Sequence, residues 1–292
     1  MNSELLGKCI GAAMQFGINL MLWTDRLQED LLPVLPMLKR QGWDGVEVPL
    51  FDLTIDYKTW GRRLDDLGLH RTASTARGAA DNPISPDPKI RTAGINASKR
   101  TLDCCPALGA DILVGPIHSA IGEFTGRPPT IHEWNWAVES IRQVAQHADQ
   151  VGVTLGLEYL NRFECYLLNH AADMIRFIKD VNHPRCRMIY DTFHAHIEEN
   201  DPFAAIQAAS PYLMLVHVSE NNRGTPGQGQ ISWHRMFSKL KEIKFDGWLV
   251  VEAFGTALPA LQSATKIWRP MYDSEEQLSR DALAHLKKGM AD

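Results

Sequence analysis

Four side chains that could bind a metal stand at the ends of four apolar segments in the second half of the chain. They are Glu158, Asp191, His217 and Glu252. Two glutamates, an aspartate and a neutral histidine form an oxygen-rich set, which suits Mn²⁺, Mg²⁺ or Co²⁺ better than a thiolate zinc site would. Without a cation, three crowded carboxylates would repel one another and raise their pKa values. The set therefore predicts one divalent metal, which could polarise a carbonyl and a hydroxyl group.

The pattern carries more weight than any single residue. One acid at the end of a strand is most often a helix cap or a surface carboxylate. Four in succession, in strands with no evident Lys or Arg partner, favour a functional cluster because buried charges need compensation. Three further polar residues, Glu164, His194 and Arg223, follow in the predicted loops. Each alone could be a loop side chain in water or in a surface ion pair, but the repetition indicates contacts with substrate oxygens.

Eight alternations of strand and helix surround these residues. The predicted strands are 16–23, 45–50, 69–76, 111–117, 153–159, 187–191, 212–219 and 247–254. The predicted helices are 31–42, 60–68, 90–109, 130–152, 171–181, 201–210, 233–245 and 274–290. Alternation predicts a parallel sheet, and no Gly-rich phosphate turn follows the first strand, as an open doubly wound sheet would usually have.

The sequence thus predicts an α/β fold, a (β/α)₈ TIM barrel. We expect a single domain over residues 1–292, with an N-terminal extension at 1–15 and a C-terminal helix within 270–292. Chemistry in such barrels lies at the carboxyl ends of the strands. The four strand-end side chains should therefore converge at one mouth of the barrel.

Composition excludes several classes of function. The net charge is −5 and no Lys/Arg stripe stands out, so no nucleic-acid partner is predicted. We find no secretory signal and no apolar run long enough for a bilayer, so no membrane association and a cytoplasmic location are expected. The five cysteines are odd in number and form no C-x-x-C pair, which argues against a disulfide framework and a structural zinc cluster.

Four segments of the chain resemble a known family: GLEYLNRFE (156–164), YDTFHAHIEE (190–199), HVSENNRGTPGQGQISW (217–233) and VVEAF (250–254). They are similar to the D-tagatose/D-psicose (D-allulose) 3-epimerases, which belong to the xylose isomerase-like barrels. The similarity extends from SPDPKIRTAG (85–94) to KIWRPMYDSEEQL (266–278). The combination of NRFE, DTFH and H-x₅-R is the most specific part of it.

The resemblance implies an activity and roles for the strand-end residues. The activity is metal-dependent inversion at C3 of a free ketohexose or ketopentose of the D-psicose/D-fructose, D-tagatose/D-sorbose or L-ribulose type. The four residues would hold one Mn²⁺ or Co²⁺ ion, with Mg²⁺ as a further candidate. Glu158 and Glu252 would be the acid/base pair, one removing the C3 proton and the other returning a proton on the opposite face of a cis-enediolate. A homodimer or homotetramer is also implied.

The resemblance extends to the substrate. Glu164, His194 and Arg223 match residues that bind the O1–O3 end of the ketose, and Phe254 matches an aromatic contact. The other end of the pocket departs from the family, which often has Phe, Cys, Leu and Trp there. The residues near these positions are Asn19, Ser74, Pro116 and Ile121. Substrate identity is therefore less well predicted than reaction type.

Three alternatives remain open on the sequence. An aldose–ketose isomerase could use the same barrel and metal. A phosphodiesterase of the endonuclease IV type would need more His and Asp ligands, several metals and a basic groove. A non-catalytic sugar sensor would have lost a ligand or a base, and none is missing here.

Overall fold

The structure, a computed structural model, describes residues 14–291 and shows a closed barrel of eight parallel strands in sequence order. The strands are β1 (Gln15–Asn19), β2 (Gly45–Pro49), β3 (His70–Ser74), β4 (Ile112–Gly115), β5 (Thr154–Leu157), β6 (Cys186–Asp191), β7 (Leu213–Val218) and β8 (Trp248–Val251). The pairing of β1 with β8 closes the barrel. The predicted fold class is confirmed, whereas the predicted N-terminal extension lies almost wholly outside the described residues.

Ten α-helices pack around or above the described barrel. They are α1 (Val34–Gln41), α2 (Tyr57–Leu67), α3 (Pro88–Leu108), α4 (Ile131–Gln150), α5 (Ala171–Val181), α6 (Thr192–Glu198), α7 (Pro202–Ala209), α8 (Trp233–Glu242), α9 (Pro259–Thr265) and α10 (Glu275–Ala291). Short 3₁₀ turns occupy Leu20–Leu22, Glu29–Leu31 and Ala79–Asp81. The sequence did not predict α6 and α9. Among the described helices, none is long and apolar enough to cross a bilayer.

Local sequence explains where the helices begin and end. The helix α1 ends at Gly42, whose φ of 95° is a left-handed conformation that glycine adopts without steric cost. The helix α3 begins at Pro88, two residues before the predicted start at residue 90, because proline at the first helical position needs no amide partner. His170 caps α5 by accepting a hydrogen bond from the backbone N–H of Asp173.

The barrel interior is apolar below its mouth. Val114, Ile189, Leu215, Trp248 and Val250 form a small buried cluster separate from the larger core between strands and helices. Side chains two residues apart on a strand point to the same face. The three residues that follow Ile189, Leu215 and Val250 by two positions are Asp191, His217 and Glu252, so these ligand candidates stand directly above an apolar floor.

Candidate functional site

The four predicted metal ligands meet at the carboxyl end of the barrel. Glu158 and Glu252 each follow the last residue of β5 and β8, Asp191 ends β6, and His217 is the penultimate residue of β7. All four are 1–5% exposed, and one ligand atom from each lies within 4.8 Å of the others. The convergence predicted from the strand ends is thus present in the structure.

The donor atoms of this cluster fit a cation. His217 Nδ1 lies 3.5 Å from Glu158 Oε1 and 3.5 Å from Glu252 Oε1. Asp191 Oδ2 and His217 Nδ1 are buried without a hydrogen-bond partner, an arrangement that costs free energy unless another group satisfies these lone pairs. A buried group of three carboxylates and one imidazole could therefore hold one divalent metal.

Burial shifts the protonation equilibria of the same groups. It raises the pKa of Glu158 and of Glu252, and it raises the pKa of Asp191 to about 7 despite the nearby Arg223. For His217, burial lowers the pKa, but the negative charges of Glu47 and Glu252 outweigh burial, and the resulting pKa is well above the ordinary value. Protons and a metal ion would therefore compete for the cluster near neutral pH.

The sequence analysis missed a fourth carboxylate beside the cluster. Glu47, from β2, is fully buried, and its Oε1 accepts a hydrogen bond of 2.9 Å from His217 Nε2. Its Oε1 also accepts from Asn19 Nδ2 at 2.8 Å, and its Oε2 accepts from the Thr72 hydroxyl at 3.0 Å. The available signal was an acid between two valines in a strand that is buried on both faces, where a charge requires a specific partner.

Arg223 supplies the cation that the strands lack. Its side chain is buried between the rings of Phe193 and Phe254, with the guanidinium carbon 3.9 and 4.9 Å from their centroids. Its Nη1 donates to Glu252 Oε2 at 2.5 Å and lies 3.6 Å from Asp191 Oδ2. The pKa of Arg223 is raised: burial lowers it, but the carboxylates outweigh burial. The guanidinium therefore compensates part of the negative charge.

Glu164 and His194 lie beside this guanidinium, and their predicted contacts with substrate oxygens stay a prediction. Glu164 Oε1 is 3.6 Å from Arg223 Nη2 and accepts from Asn161 Nδ2 at 2.9 Å. The backbone N–H of Asn161 donates to His194 Nδ1 at 3.0 Å, and Arg223 Nη2, which can only donate, lies 3.2 Å from His194 Nε2, so each ring nitrogen faces a donor. Burial, followed by repulsion from Arg223, lowers the pKa of His194 well below its ordinary value. His194 is therefore a neutral imidazole beside the charged groups of the site.

A buried carboxylate holds the loop that presents Arg223. Glu220 is fully buried and accepts from the backbone N–H groups of Asn221, Gly227 and Ile231 and from Trp233 Nε1, at 2.8–3.0 Å. Within this loop Arg223 adopts a left-handed φ of 62°, which costs free energy for a non-glycine residue. This role could not be predicted, because Glu220 is one of several polar residues in the same loop.

The four residues predicted near the O4–O6 end of the sugar differ in burial and in hydrogen bonding. Asn19 is fully buried against Glu47 and lies 3.5 Å from Glu252 Oε1, so it contacts the ligand cluster itself. Ser74 is buried with an unpartnered hydroxyl, Pro116 is buried and Ile121 is 37% exposed. Their assignment to the O4–O6 end of a sugar stays a prediction.

Comparison with known proteins identifies the family. The sequence model of the xylose isomerase-like TIM barrel family matches residues 35–289. The ketose 3-epimerase of Arthrobacter globiformis is 30% identical over 94% of this chain and 96% of its own length. The D-psicose 3-epimerase of Ruminiclostridium cellulolyticum is 32% identical over 94% of this chain and 96% of its own length.

A solved structure agrees with these relatives. The D-allulose 3-epimerase from Methylomonas sp. in complex with D-allulose superimposes with a TM-score of 0.90 at 28% identity. The match covers 95% of this chain and 98% of that one. The chain therefore belongs to the xylose isomerase-like TIM barrel family, among its ketose 3-epimerases, and is a carbohydrate epimerase.

Proposed function

We propose that this protein inverts the configuration at C3 of a free ketohexose or ketopentose, of the D-psicose/D-fructose, D-tagatose/D-sorbose or L-ribulose type. The observation that carries the proposal is the pair Glu158 and Glu252. Their carboxylates enter the mouth from β5 and β8, with two strands between them, and each is within 3.5 Å of the same His217 nitrogen. Two bases at one site are what inversion by proton removal and return requires.

The proposal includes one divalent cation, Mn²⁺ or Co²⁺ with Mg²⁺ as a further candidate, held by Glu158, Asp191, His217 and Glu252. The unpartnered Asp191 Oδ2 and His217 Nδ1 support this ligand set. When bound, such an ion would polarise a carbonyl and the hydroxyl group on the neighbouring carbon, and so acidify the C–H bond of that carbon.

In the proposed reaction one glutamate removes the C3 proton and the other delivers a proton to the opposite face of the cis-enediolate. Burial raises the pKa of both Glu158 and Glu252, which brings them closer to the pH at which proton transfer in either direction is efficient. Arg223, His194 and Glu164 would bind the oxygens at O1–O3, with the guanidinium as a donor and the Glu164 carboxylate as an acceptor. The ring of Phe254 packs against the guanidinium of Arg223.

A ketose panel with chiral product analysis tests the reaction class. D-fructose, D-psicose, D-tagatose and L-ribulose are incubated with the protein in D₂O, with Mn²⁺ or after treatment with EDTA. We expect C3 epimers that carry deuterium at C3, formed only with the metal. An aldose product with deuterium at C2 and no C3 epimer would instead establish the aldose–ketose isomerase.

Substitution of one base tests the assignment of roles. Glu252→Gln should lose C3 epimerisation by at least about 10³-fold, because the amide can neither remove nor return a proton on its face of the sugar, while circular dichroism stays unchanged. The control is Glu242→Gln, whose side chain is 61% exposed and should turn over like the parent. Near-parental activity of Glu252→Gln would refute the role. The predicted homodimer or homotetramer and the cytoplasmic location stay predictions, and light scattering measures the first.

A further inference from the structure

One buried carboxylate has no part in the proposed ligand set or in the proposed proton transfer. Glu47 lies on β2, across the barrel mouth from the strands that carry the four ligands, and is 0% exposed. Three side chains from three other strands donate to it: Asn19 from β1, Thr72 from β3 and His217 from β7. A charge buried this deeply in a barrel core costs free energy that its hydrogen bonds must offset, so its three donors need an explanation.

The hydrogen bond to His217 decides which imidazole nitrogen can bind a metal. A carboxylate only accepts hydrogen bonds, so the Glu47 Oε1 contact of 2.9 Å requires a proton on His217 Nε2. In the neutral ring the lone pair is then on Nδ1. That nitrogen faces Glu158 and Glu252 and has no hydrogen-bond partner. The ring is thus oriented with its free lone pair directed into the ligand cluster.

The remaining contacts of Glu47 exclude a direct role toward substrate. Both carboxylate oxygens are engaged, Oε1 by His217 and Asn19 and Oε2 by Thr72. Asn19 also reaches Glu252 Oε1 at 3.5 Å, so one amide joins Glu47 to a ligand on β8. Glu47 therefore contacts the proposed ligands from the side of β1–β3.

We infer that Glu47 is a positioning residue for the metal centre: its carboxylate fixes the tautomer and orientation of His217 and, together with Asn19, supports Glu252. The inference rests on the proposed function, since it needs the cation that the four ligands would hold. A carboxylate hydrogen-bonded to a ligating histidine increases the basicity of the ring, and loss of such a partner costs about 10- to 100-fold in metal affinity.

Calorimetric titration of the metal-free protein with Mn²⁺ measures this effect. In Glu47→Gln the amide oxygen can still face His217 and its NH₂ can donate to the Thr72 hydroxyl, so the shape is kept while the charge is lost. We expect its dissociation constant for Mn²⁺ to rise about 10- to 100-fold. The metal-free melting temperature separates the two roles, because a purely structural residue would lower the melting temperature and leave the affinity for Mn²⁺ unchanged.

The matched control is Glu133→Gln. Glu133 is also a buried carboxylate with several hydrogen bonds, to Thr130, Arg127 and Tyr166, but it belongs to the N-terminal cap of α4. We expect this variant to lose thermal stability and to bind Mn²⁺ like the parent. A dissociation constant for Glu47→Gln within twofold of the parental value would overturn the inference.

A second measurement needs no variant of Glu47 and decides the matter if Glu47→Gln does not fold. In parent protein labelled with [¹⁵N]histidine and loaded with diamagnetic Zn²⁺, long-range ¹H–¹⁵N correlations should show His217 protonated at Nε2. Protonation at Nδ1 would overturn the inference. If Asp191→Asn binds Mn²⁺ as tightly as the parent, the proposed ligand set itself fails, an outcome distinct from either result for Glu47.

Discussion

Replacement of Arg223 by methionine should destabilise the metal-free protein far more than the metal-loaded one. The guanidinium is buried beside Glu252 and Asp191, and the methionine would fill the space between Phe193 and Phe254 but leave both carboxylates without their cation. Removal of one partner from a buried ion pair costs about 3–5 kcal/mol. For 292 residues the entropy of unfolding is about 0.6 kcal/mol/K, so the melting temperature should fall by about 5–8 °C.

Bound Mn²⁺ should remove much of this loss because it supplies positive charge to the same carboxylates. A more negative cluster should also bind the ion more tightly, and a tenfold gain in affinity adds about 1.4 kcal/mol of stability at saturating metal. The measurement is thermal unfolding at pH 8 in EDTA and in saturating Mn²⁺. Mn²⁺ should raise the melting temperature of Arg223→Met more than that of the parent.

The control for this prediction is Arg162→Met. Arg162 also forms a bidentate pair, with Glu198, but its side chain is 64% exposed. An exposed pair contributes about 0–1 kcal/mol, so this variant should lose no more than about 2 °C, equally with and without Mn²⁺. Equal losses for Arg223→Met in EDTA and in Mn²⁺ would refute the idea that arginine and metal compensate the same charges.

Three further outcomes are expected. Because the pKa of Asp191 is raised to about 7, its contribution to the stability of the metal-free protein is full below about pH 4 and is lost as the pH rises through about 7. Mn²⁺ affinity should rise over the same range and continue to rise above pH 7, because the pKa of His217 is also well above its ordinary value and its ring must lose a proton before it can bind an ion; an affinity independent of pH between 5.5 and 8 would contradict this. Glu220→Gln turns an NH₂ group toward N–H donors, so it should lower the free energy of unfolding by about 2–4 kcal/mol. Because the loop would then displace Arg223, KM should rise more than kcat falls. An unchanged KM would exclude a positioning role for Glu220. Gly115→Ala should lower the free energy of unfolding by about 2 kcal/mol or more, because a Cβ at φ 128° would collide with the carbonyl oxygen of Thr75. Gly122→Ala, whose Cβ would meet no atom within 4 Å, should lower it less. Denaturant unfolding of both variants measures the difference.

The sequence predicted the barrel because its strands repeat a simple pattern. Each is a short apolar run followed by a helix with one apolar face, and this alternation holds for all eight units. The helix α6 escaped prediction because it begins directly after Asp191, with no loop between strand and helix. The helix α9 was not predicted because none of its residues is buried, so its sequence has no apolar face that would indicate a helix.

The candidate site was predicted to the extent that its residues sit at strand ends. The four ligand candidates could be found because each closes an apolar run. Glu47 could not be assigned in the same way, since it lies inside GVEVP and its partners are 25 and 170 residues away. Arg223 was predicted to contact substrate, but its place against Glu252 depends on a loop that Glu220 folds, and a linear sequence does not show such a contact.

The Asn19 contact with Glu252 joins the first strand to the last, across 233 residues of chain. Ligand candidates come from β5–β8, while their support comes from β1–β3, so a chain with only its second half folded would present the ligands without the groups that orient them. Contacts of such long sequence separation form slowly, because the loop entropy must be lost before they contribute. During refolding, tight metal binding should therefore appear only when the barrel closes, which would make the ion a kinetic probe of the final step of folding.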